Sequence, residues 1–172
     1  MFWIVLAIAA LWVATDQLTK TWAEAALDGG RVVPVVGELL QLRLVYNPGA
    51  AFSFATNATF LLTGIAIAVS AFVIWQASKL ASWGWTVALG LLLGGAMGNL
   101  TDRIFRAPGV GQGHVVDFLA LPNFPVFNVA DIGITSAAVL IVLLSLLGVA
   151  PDGMPSDDTP RRRRSERGAA GE

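Results

Sequence analysis

Four apolar runs, separated by short polar segments, dominate the hydropathy pattern of this chain of 172 residues. A helix of about 20 apolar residues crosses the ~30 Å hydrocarbon core of a bilayer, because each residue adds about 1.5 Å. We therefore predict membrane spans at about residues 1–22, 58–76, 85–104 and 129–149. The length alone would suit one soluble domain, but the mean hydropathy of +0.67 indicates a membrane protein.

A different period occurs between the first two runs. In "LLQLRLV", leucines alternate with Gln41 and Arg43, which is the two-residue period of a half-exposed β-strand, and turn-forming residues flank the stretch. The predicted fold is therefore a membrane protein, an all-α four-transmembrane-helix bundle. It carries a small extracytoplasmic β-sheet formed by about residues 31–55, between spans one and two.

The basic residues predict how the helices are oriented. Lys79 lies in the short turn between the second and third runs, and Arg161–Arg164 follow the fourth. Because cytoplasmic segments carry an excess of Lys and Arg, this turn and both termini are predicted to be cytoplasmic. Residues 151–172 are rich in Pro, Asp and Arg, so we expect a disordered cytoplasmic tail. The N-terminal run lacks a basic start and a clear cleavage site, so we expect it to remain as the first helix.

The composition excludes several kinds of chemistry. Without cysteine, the chain has no disulfide, no thiolate nucleophile and no cysteine metal ligand, and its only histidine, His114, cannot form a histidine-rich zinc site. The net charge of −1 provides no basic field for nucleic acid. We therefore expect no metal, no cofactor and no nucleic-acid partner.

The polar side chains in or beside the apolar runs all map to the outer half of the predicted bundle, although they come from five separate segments. They are Asp16, Asn47, Asn99, Asp102, Arg103, Asp117, Asn128 and Asp131. A charged group at membrane depth is costly unless a partner compensates it, so such residues are candidates for function. Their position predicts a site near the outer membrane face.

Several of these residues also have a purely structural explanation. Asn128 and Asp131 have the spacing of an N-cap and its capping-box partner at the start of a helix. Asp102 and Arg103 are equally well explained as a solvated helix end, and Arg103 as one half of a pair inside the bundle. Lys20 is expected to extend along the helix surface until its ammonium group reaches the membrane interface.

Asp117 and Asp131 make the most economical catalytic pair. Taken alone, Asp117 is also explained as an ordinary acidic residue of a loop. Asp131 follows 14 residues later, and prolines in the intervening loop allow the chain to fold back. When two carboxyl groups share a site, one keeps its proton and acts as the acid while the other acts as the base. The spacing permits this pair without requiring it. A small transporter subunit and a non-enzymatic membrane scaffold remain as alternatives.

Four motifs, "YNPGAAFSF", "GGAMGNLTDR", "HVVDF" and "FPVFNVAD", follow one another in this order. Their combination over about residues 1–150 resembles the lipoprotein signal peptidases (signal peptidase II), a family of bacterial intramembrane aspartyl proteases. The resemblance implies an endopeptidase that removes the signal peptide from diacylglyceryl-modified prolipoproteins and cuts before the lipidated cysteine. It also implies a multi-pass protein of the bacterial cytoplasmic membrane, in contact with membrane lipid, and we expect a monomer.

The same resemblance assigns roles to individual residues. Asp117 and Asp131 match the catalytic aspartates of the family. The other matching positions, which would orient the pair, the attacking water and the substrate backbone, are Asp16, Asn47, Asn99, Arg103 and Asn128. The predicted sheet resembles the extracytoplasmic cradle with which the family holds its substrate, and no metal or cofactor is implied.

Overall fold

Four long helices and a small sheet make up the described part of the chain. The computed structural model describes residues 1–49 and 55–153. For residues 55–58 it describes the backbone only. The helices are α1 (Phe2–Ala26), α2 (Ala55–Ala77), α3 (Trp83–Phe105) and α4 (Val129–Leu146). The strands are β1 (Val32–Val36), β2 (Leu40–Asn47) and β3 (Val115–Ala120), and a 3₁₀ turn at Asp28–Gly30 connects α1 to β1. Each predicted span overlaps one of the four helices.

Among the described residues, three helices are long and apolar enough to cross a membrane, namely Phe2–Ala26, Thr59–Ala77 and Val129–Leu146. The helix outside this set, α3, has 23 residues, but five glycines and a polar C-terminal turn make it less apolar. It packs against all three other helices and has more buried residues than any of them. Protein therefore covers much of the surface of α3.

Glycines allow α3 to approach its neighbours closely. A Cβ atom on Gly98 would lie 2.7 Å from Oδ2 of Asp16 on α1. On another side of the helix, a Cβ atom on Gly95 would overlap the carbonyl oxygen of Ala130 on α4. The backbone of α3 is thus in direct contact with α1, which carries Asp16, and with α4, which carries Asp131.

The three strands form one antiparallel sheet in the order β1-β2-β3. Val33 pairs with Leu42 across β1 and β2, and Asn47 pairs with Val115 across β2 and β3. Phe118 of β3 is buried against the C-terminal end of α1 in a small apolar cluster. This contact fastens the sheet to one end of the helices.

The third strand corrects the sequence-based prediction of a sheet formed by residues 31–55 alone. β3 lies between α3 and α4 in the sequence, and residues 50–54 of the predicted segment lie outside the described residues. The first four residues of β3 are buried, so "VVDFLA" lacks the alternation that identifies a half-exposed strand. The pairing of β2 with β3 places Asp117 directly opposite Val45.

The other end of the bundle is formed by the α2–α3 turn and the residues after α4. The backbone N–H of Ala81 donates to the carbonyl of Pro151 over 3.0 Å, and Trp85 Nε1 donates to the carbonyl of Val149 over 2.7 Å. Lys79 belongs to the same turn. The basic turn and the start of the predicted tail therefore lie together, away from the sheet. Residues 154–172 of that tail lie outside the described residues.

Glycine-to-alanine substitutions at two helical positions should change stability in opposite directions. Alanine at Gly95 would collide with α4, and overpacking of this kind costs about 1–3 kcal/mol. Alanine at Gly64 in α2 meets no described atom within 4 Å and gains about 0.5–1 kcal/mol of helix propensity. Thermal unfolding of the purified protein in detergent measures both changes against wild type. Equal effects of the two substitutions would contradict the close packing of α3 on α4.

Candidate active site

Asp117 is presented by β3 and is almost fully buried, with 2% of its surface exposed. Its Oδ2 accepts a hydrogen bond from Asn47 Nδ2 over 2.8 Å, and its Oδ1 accepts one from Asn128 Nδ2 over 2.6 Å. Burial raises the pKa of Asp117 to about 6, although the two amide donors act in the opposite direction. The nearby negative charge of Asp131 adds to the increase. This carboxyl group therefore keeps a proton more readily than an ordinary aspartate.

Asp131 lies in the first turn of α4 and forms a capping box with Asn128. Asn128 Oδ1 accepts the Asp131 backbone N–H over 3.0 Å, and Asp131 Oδ2 accepts the Asn128 backbone N–H over 3.1 Å. The other carboxylate oxygen, Oδ1, accepts a hydrogen bond from Asn99 Nδ2 over 2.9 Å. The capping explanation of these residues is thus confirmed. It does not exclude a role in a site, because the half-buried carboxylate also faces a cavity.

The two aspartates line one cavity of about 480 Å³. Asn128 connects them, because its side chain donates to Asp117 while its backbone donates to Asp131. Phe124 forms part of the cavity wall on the side of the loop before α4, and Ile132 on the side of α4 itself. A peptide that entered this cavity would meet both carboxyl groups in a mainly apolar surround.

The side-chain amides of three asparagines have defined orientations, because each amide oxygen is already occupied by a donor. Asn47 Oδ1 accepts the backbone N–H of Gly49 over 2.8 Å, and Asn128 Oδ1 accepts a backbone N–H of α4. Asn99 Oδ1 accepts Lys20 Nζ over 3.0 Å and Asn128 Nδ2 over 3.1 Å. All three amide NH₂ groups must therefore point toward the aspartates.

Lys20 is completely buried, so the expectation that it extends to the membrane interface is wrong. Its Nζ lies 2.8 Å from Asp16 Oδ2 and 2.7 Å from Asp102 Oδ2, and it donates to Asn99. Two carboxylates compensate the buried ammonium group, which removes the reason for it to reach water. Asp16 also accepts the backbone N–H of Ala130 over 2.9 Å, which joins this cluster to the start of α4.

Asp102 is also fully buried, so the explanation of this position as a solvated helix end is wrong. Its Oδ2 contacts Lys20 and accepts the backbone N–H of Val116 over 3.2 Å. Its Oδ1 accepts Arg106 Nε over 2.8 Å, and Arg106 also forms a salt bridge with Glu24. One carboxylate therefore joins α3 to α1 and to the strand that carries the first aspartate.

Arg103 has 7% of its surface exposed and thus also lies inside the protein. Its guanidinium group interacts electrostatically with Asp117 and Asp131, and its Nη1 has no hydrogen-bond partner among the described residues. A Cβ atom on Gly49 would lie 4.0 Å from its Nη2, so the group is beside the turn after β2. Residues 50–54, which complete the "YNPGAAFSF" motif, lie outside the described residues.

The structure brings together every site residue that the sequence predicts. Hydrogen bonds or charge interactions connect Asp16, Asn47, Asn99, Arg103, Asp117, Asn128 and Asp131 into one cluster. Sequence reasoning missed Lys20 and the part played by Asp102. The available signal was an acid and a base four residues apart in an apolar run, which is the spacing of a helical ion pair. Among the described residues, no group of three or more His, Cys, Asp or Glu side chains is placed to hold a metal.

Comparison with known proteins gives consistent matches over most of the chain. The family model described as Signal peptidase (SPase) II matches residues 8–147. A lipoprotein signal peptidase of Rhodococcus jostii is 55% identical over 146 residues, which cover 85% of this chain and 74% of the relative. One of Leifsonia xyli is 46% identical over 165 residues, which cover 95% of this chain and 73% of the relative.

Solved structures agree with these sequence matches. A bacterial membrane enzyme determined by the in meso method has a TM-score of 0.74 at 29% identity, over 83% of this chain and 92% of its own. A second such enzyme has a TM-score of 0.73 at 27% identity, over 94% and 93% of the two chains. The chain belongs to the signal peptidase II family, because the family model matches most of the chain and the two relatives are 55% and 46% identical to it.

Proposed function

We propose that this protein is a membrane aspartic endopeptidase that removes the signal peptide from diacylglyceryl-modified prolipoproteins, cutting before the lipidated cysteine. The observation that carries the proposal is the pair Asp117 and Asp131, which line one cavity and receive hydrogen bonds from three oriented asparagine amides. Family membership supports the same activity, because the named relatives are lipoprotein signal peptidases.

In the proposed reaction the two carboxyl groups share one proton, since like charges in one site do not ionise together. Asp117 is the acid, because its raised pKa favours the protonated form. Asp131 takes a proton from water as the water oxygen attacks the scissile carbonyl, and Asp117 protonates the carbonyl oxygen. The C–N bond then breaks as Asp131 passes its proton to the leaving amine, and one hydroxyl group of the tetrahedral intermediate returns a proton to Asp117. The products are a signal peptide with a new carboxyl group and a lipoprotein with a free amino group.

The remaining cluster residues act by positioning. Asn47 and Asn128 direct their amide donors to Asp117, and Asn99 directs its donor to Asp131. We assign the free donor of Arg103 to a carbonyl of the substrate backbone, because a buried guanidinium nitrogen without a described partner is costly until a ligand satisfies it. Asp16 supports the start of α4 and, through it, the position of the second aspartate.

The proposed membrane placement has four spans, both termini in the cytoplasm and the site near the outer face of the bacterial cytoplasmic membrane. The basic turn at Lys79 and the segment after α4 at Pro151 lie together at one end of the helices, which agrees with the positive-inside rule. The sheet and both aspartates lie at the other end, so the sheet would be extracytoplasmic. In this placement α3 crosses the membrane between the three other helices, so it has little contact with lipid. The proposed active unit is a monomer.

A transport role is not favoured by the distribution of charge. The buried charged side chains in the described part of the chain are Asp16, Lys20, Asp102, Arg103 and Asp117. All of them belong to the network at the sheet end. A transporter would need polar groups along a path through the whole bilayer. Buried charge at one end of the described bundle instead suits chemistry at a single membrane face.

Replacing either aspartate by asparagine should abolish cleavage of a diacylglyceryl prolipoprotein in detergent. We expect a loss of at least about 10³-fold in kcat for Asp117→Asn and for Asp131→Asn, and little further loss in the double variant, because paired residues act as a unit. Asp28→Asn is the matched control, since it removes an exposed carboxylate at the same end of the protein. Clear turnover by either folded single variant would refute the dyad.

The pH dependence of kcat/KM should report the proton on Asp117. Because the acid must be protonated and its pKa is raised to about 6, kcat/KM of wild type should fall as the pH rises through about 6. Asn47→Ala removes a donor that favours the ionised form, so the pKa should rise further and the falling limb should move to higher pH. Initial rates at substrate concentrations well below KM measure both profiles. A limb that moves to lower pH in the variant would contradict this assignment of the acid.

Removing the buried ammonium group of Lys20 should destabilise the protein strongly. Lys20→Met leaves Asp16 without a cation and leaves Asp102 with Arg106 as its remaining one, and breaking a buried ion pair from one side costs about 3–5 kcal/mol. Adding Asp102→Asn to Lys20→Met removes one of the stranded charges and should recover part of the loss. Thermal unfolding in detergent measures these changes, and Lys79→Met in the α2–α3 turn is the control, with an expected loss of at most about 1 kcal/mol because it removes an exposed cation–π contact with Trp75. Equal stability of the two single variants would show that the cluster is not a structural element.

A further inference from the structure

A second groove, the outer groove, lies next to the active-site cavity. It has a volume of about 430 Å³ and is formed between the β1–β2 hairpin and the loop before α4. Its polar lining consists of Glu38, Gln41, Arg43 and Asn123. Phe124 lines both the outer groove and the cavity that holds the two aspartates, as does the nearby Val126. The two spaces are therefore neighbours across a wall of two side chains.

The active-site cavity is mainly apolar and the outer groove is polar. A prolipoprotein has the same difference, between its apolar signal peptide and the polar chain that follows. On the α4 side, the cavity wall continues along an apolar helix through Ile132, Thr135 and Ser136, which are spaced as one helix face. On the other side of Phe124, the outer groove carries both signs of charge. A signal peptide is apolar and remains in the bilayer, whereas the chain after the cleaved bond must leave toward water. The apolar wall thus suits the signal peptide, and the outer groove suits the chain that follows.

We propose that the outer groove binds the residues that follow the lipidated cysteine of the substrate, and that Arg43 and Glu38 select their charge. This inference rests on the proposed function. It adds a subsite with stated chemistry, in which an extended polar peptide is bound by a basic side chain near the scissile bond and by an acidic side chain farther out.

The strand geometry sets the order of these contacts. Asn47, which donates to Asp117, marks the position of the chemistry on β2, and Arg43 lies four residues away, or about 13 Å along the strand. Glu38 lies beyond it, in the turn between β1 and β2. An extended substrate advances by a similar distance per residue. Its third or fourth residue after the cysteine therefore reaches Arg43, and an acidic residue there is favoured.

The test compares lipidated prolipoproteins that differ only at the third and fourth residues after the cysteine, with Asp, Ser or Lys at both positions. For wild type in neutral detergent at low salt, kcat/KM should be about two- to fivefold higher for the Asp substrate than for the Lys substrate, as expected for a solvent-accessible ion pair. Arg43→Glu should invert this preference, so that kcat/KM becomes higher for the Lys substrate than for the Asp substrate.

Arg31→Glu is the matched control, because it makes the same change of charge at an exposed residue that precedes β1 and does not line the outer groove. It should leave the ratio of kcat/KM for the Asp and Lys substrates within twofold of wild type. A second control places the charges at the tenth residue after the cysteine, about 30 Å away when extended, where Arg43→Glu should have no effect.

Each outcome decides between defined alternatives. A ratio that responds to Arg43→Glu but not to Arg31→Glu supports the subsite. Equal responses to the two substitutions indicate only the overall charge of the protein, and a ratio near one in wild type shows that no charge is selected, so either result overturns the inference. Because the Ser substrate tests cleavage independently, failure to cut it would instead refute the proposed function, and the subsite with it.

Discussion

The ammonium group of Lys20, buried between Asp16 and Asp102, is the interaction on which the rest of the site depends. It lies where α1 and α3 are in close contact, and its two carboxylates extend the contact to the backbone of α4 at Ala130 and of β3 at Val116. Four elements from distant parts of the sequence are thus joined by one cation. Such a cluster is stable only when complete, because a single missing partner leaves a buried charge uncompensated.

The same cation determines where the hydrogen-bond donors of the site point. By donating to Asn99 Oδ1, Lys20 forces the amide NH₂ of Asn99 toward Asp131. Asn128 is oriented by a different constraint, since its side-chain oxygen caps α4 and its NH₂ group must turn toward Asp117. Structural tasks therefore fix the geometry of the groups that are proposed to be catalytic. A helix cap and a buried ion pair, each needed for folding, leave the donors no alternative orientation.

The sequence was sufficient for the features that local patterns encode. The four helices follow from long apolar runs, and most of the predicted site residues come from short motifs, of which "HVVDF" carries Asp117 and "FPVFNVAD" carries Asn128 and Asp131. Strand β3 was missed because burial on both faces removes the two-residue period. Lys20 and Asp102 were misjudged because they pair with each other across about 80 residues of the chain. A charge in an apolar run indicates a membrane interface until such a tertiary partner is known, although the spacing of Asp16 and Lys20 already indicated a helical ion pair.

The central position of α3 explains why it is the least apolar of the long helices. Lipid contact requires apolar side chains, but a helix surrounded by other helices needs small residues for close approach and polar residues for its partners. The glycines at Gly95 and Gly98 meet the first need, and Asn99, Asp102 and Arg103 meet the second. Apolarity therefore identifies the helices that face lipid. The helix that carries more of the supporting polar groups than any other described element is recognised instead by its glycines and its buried charges.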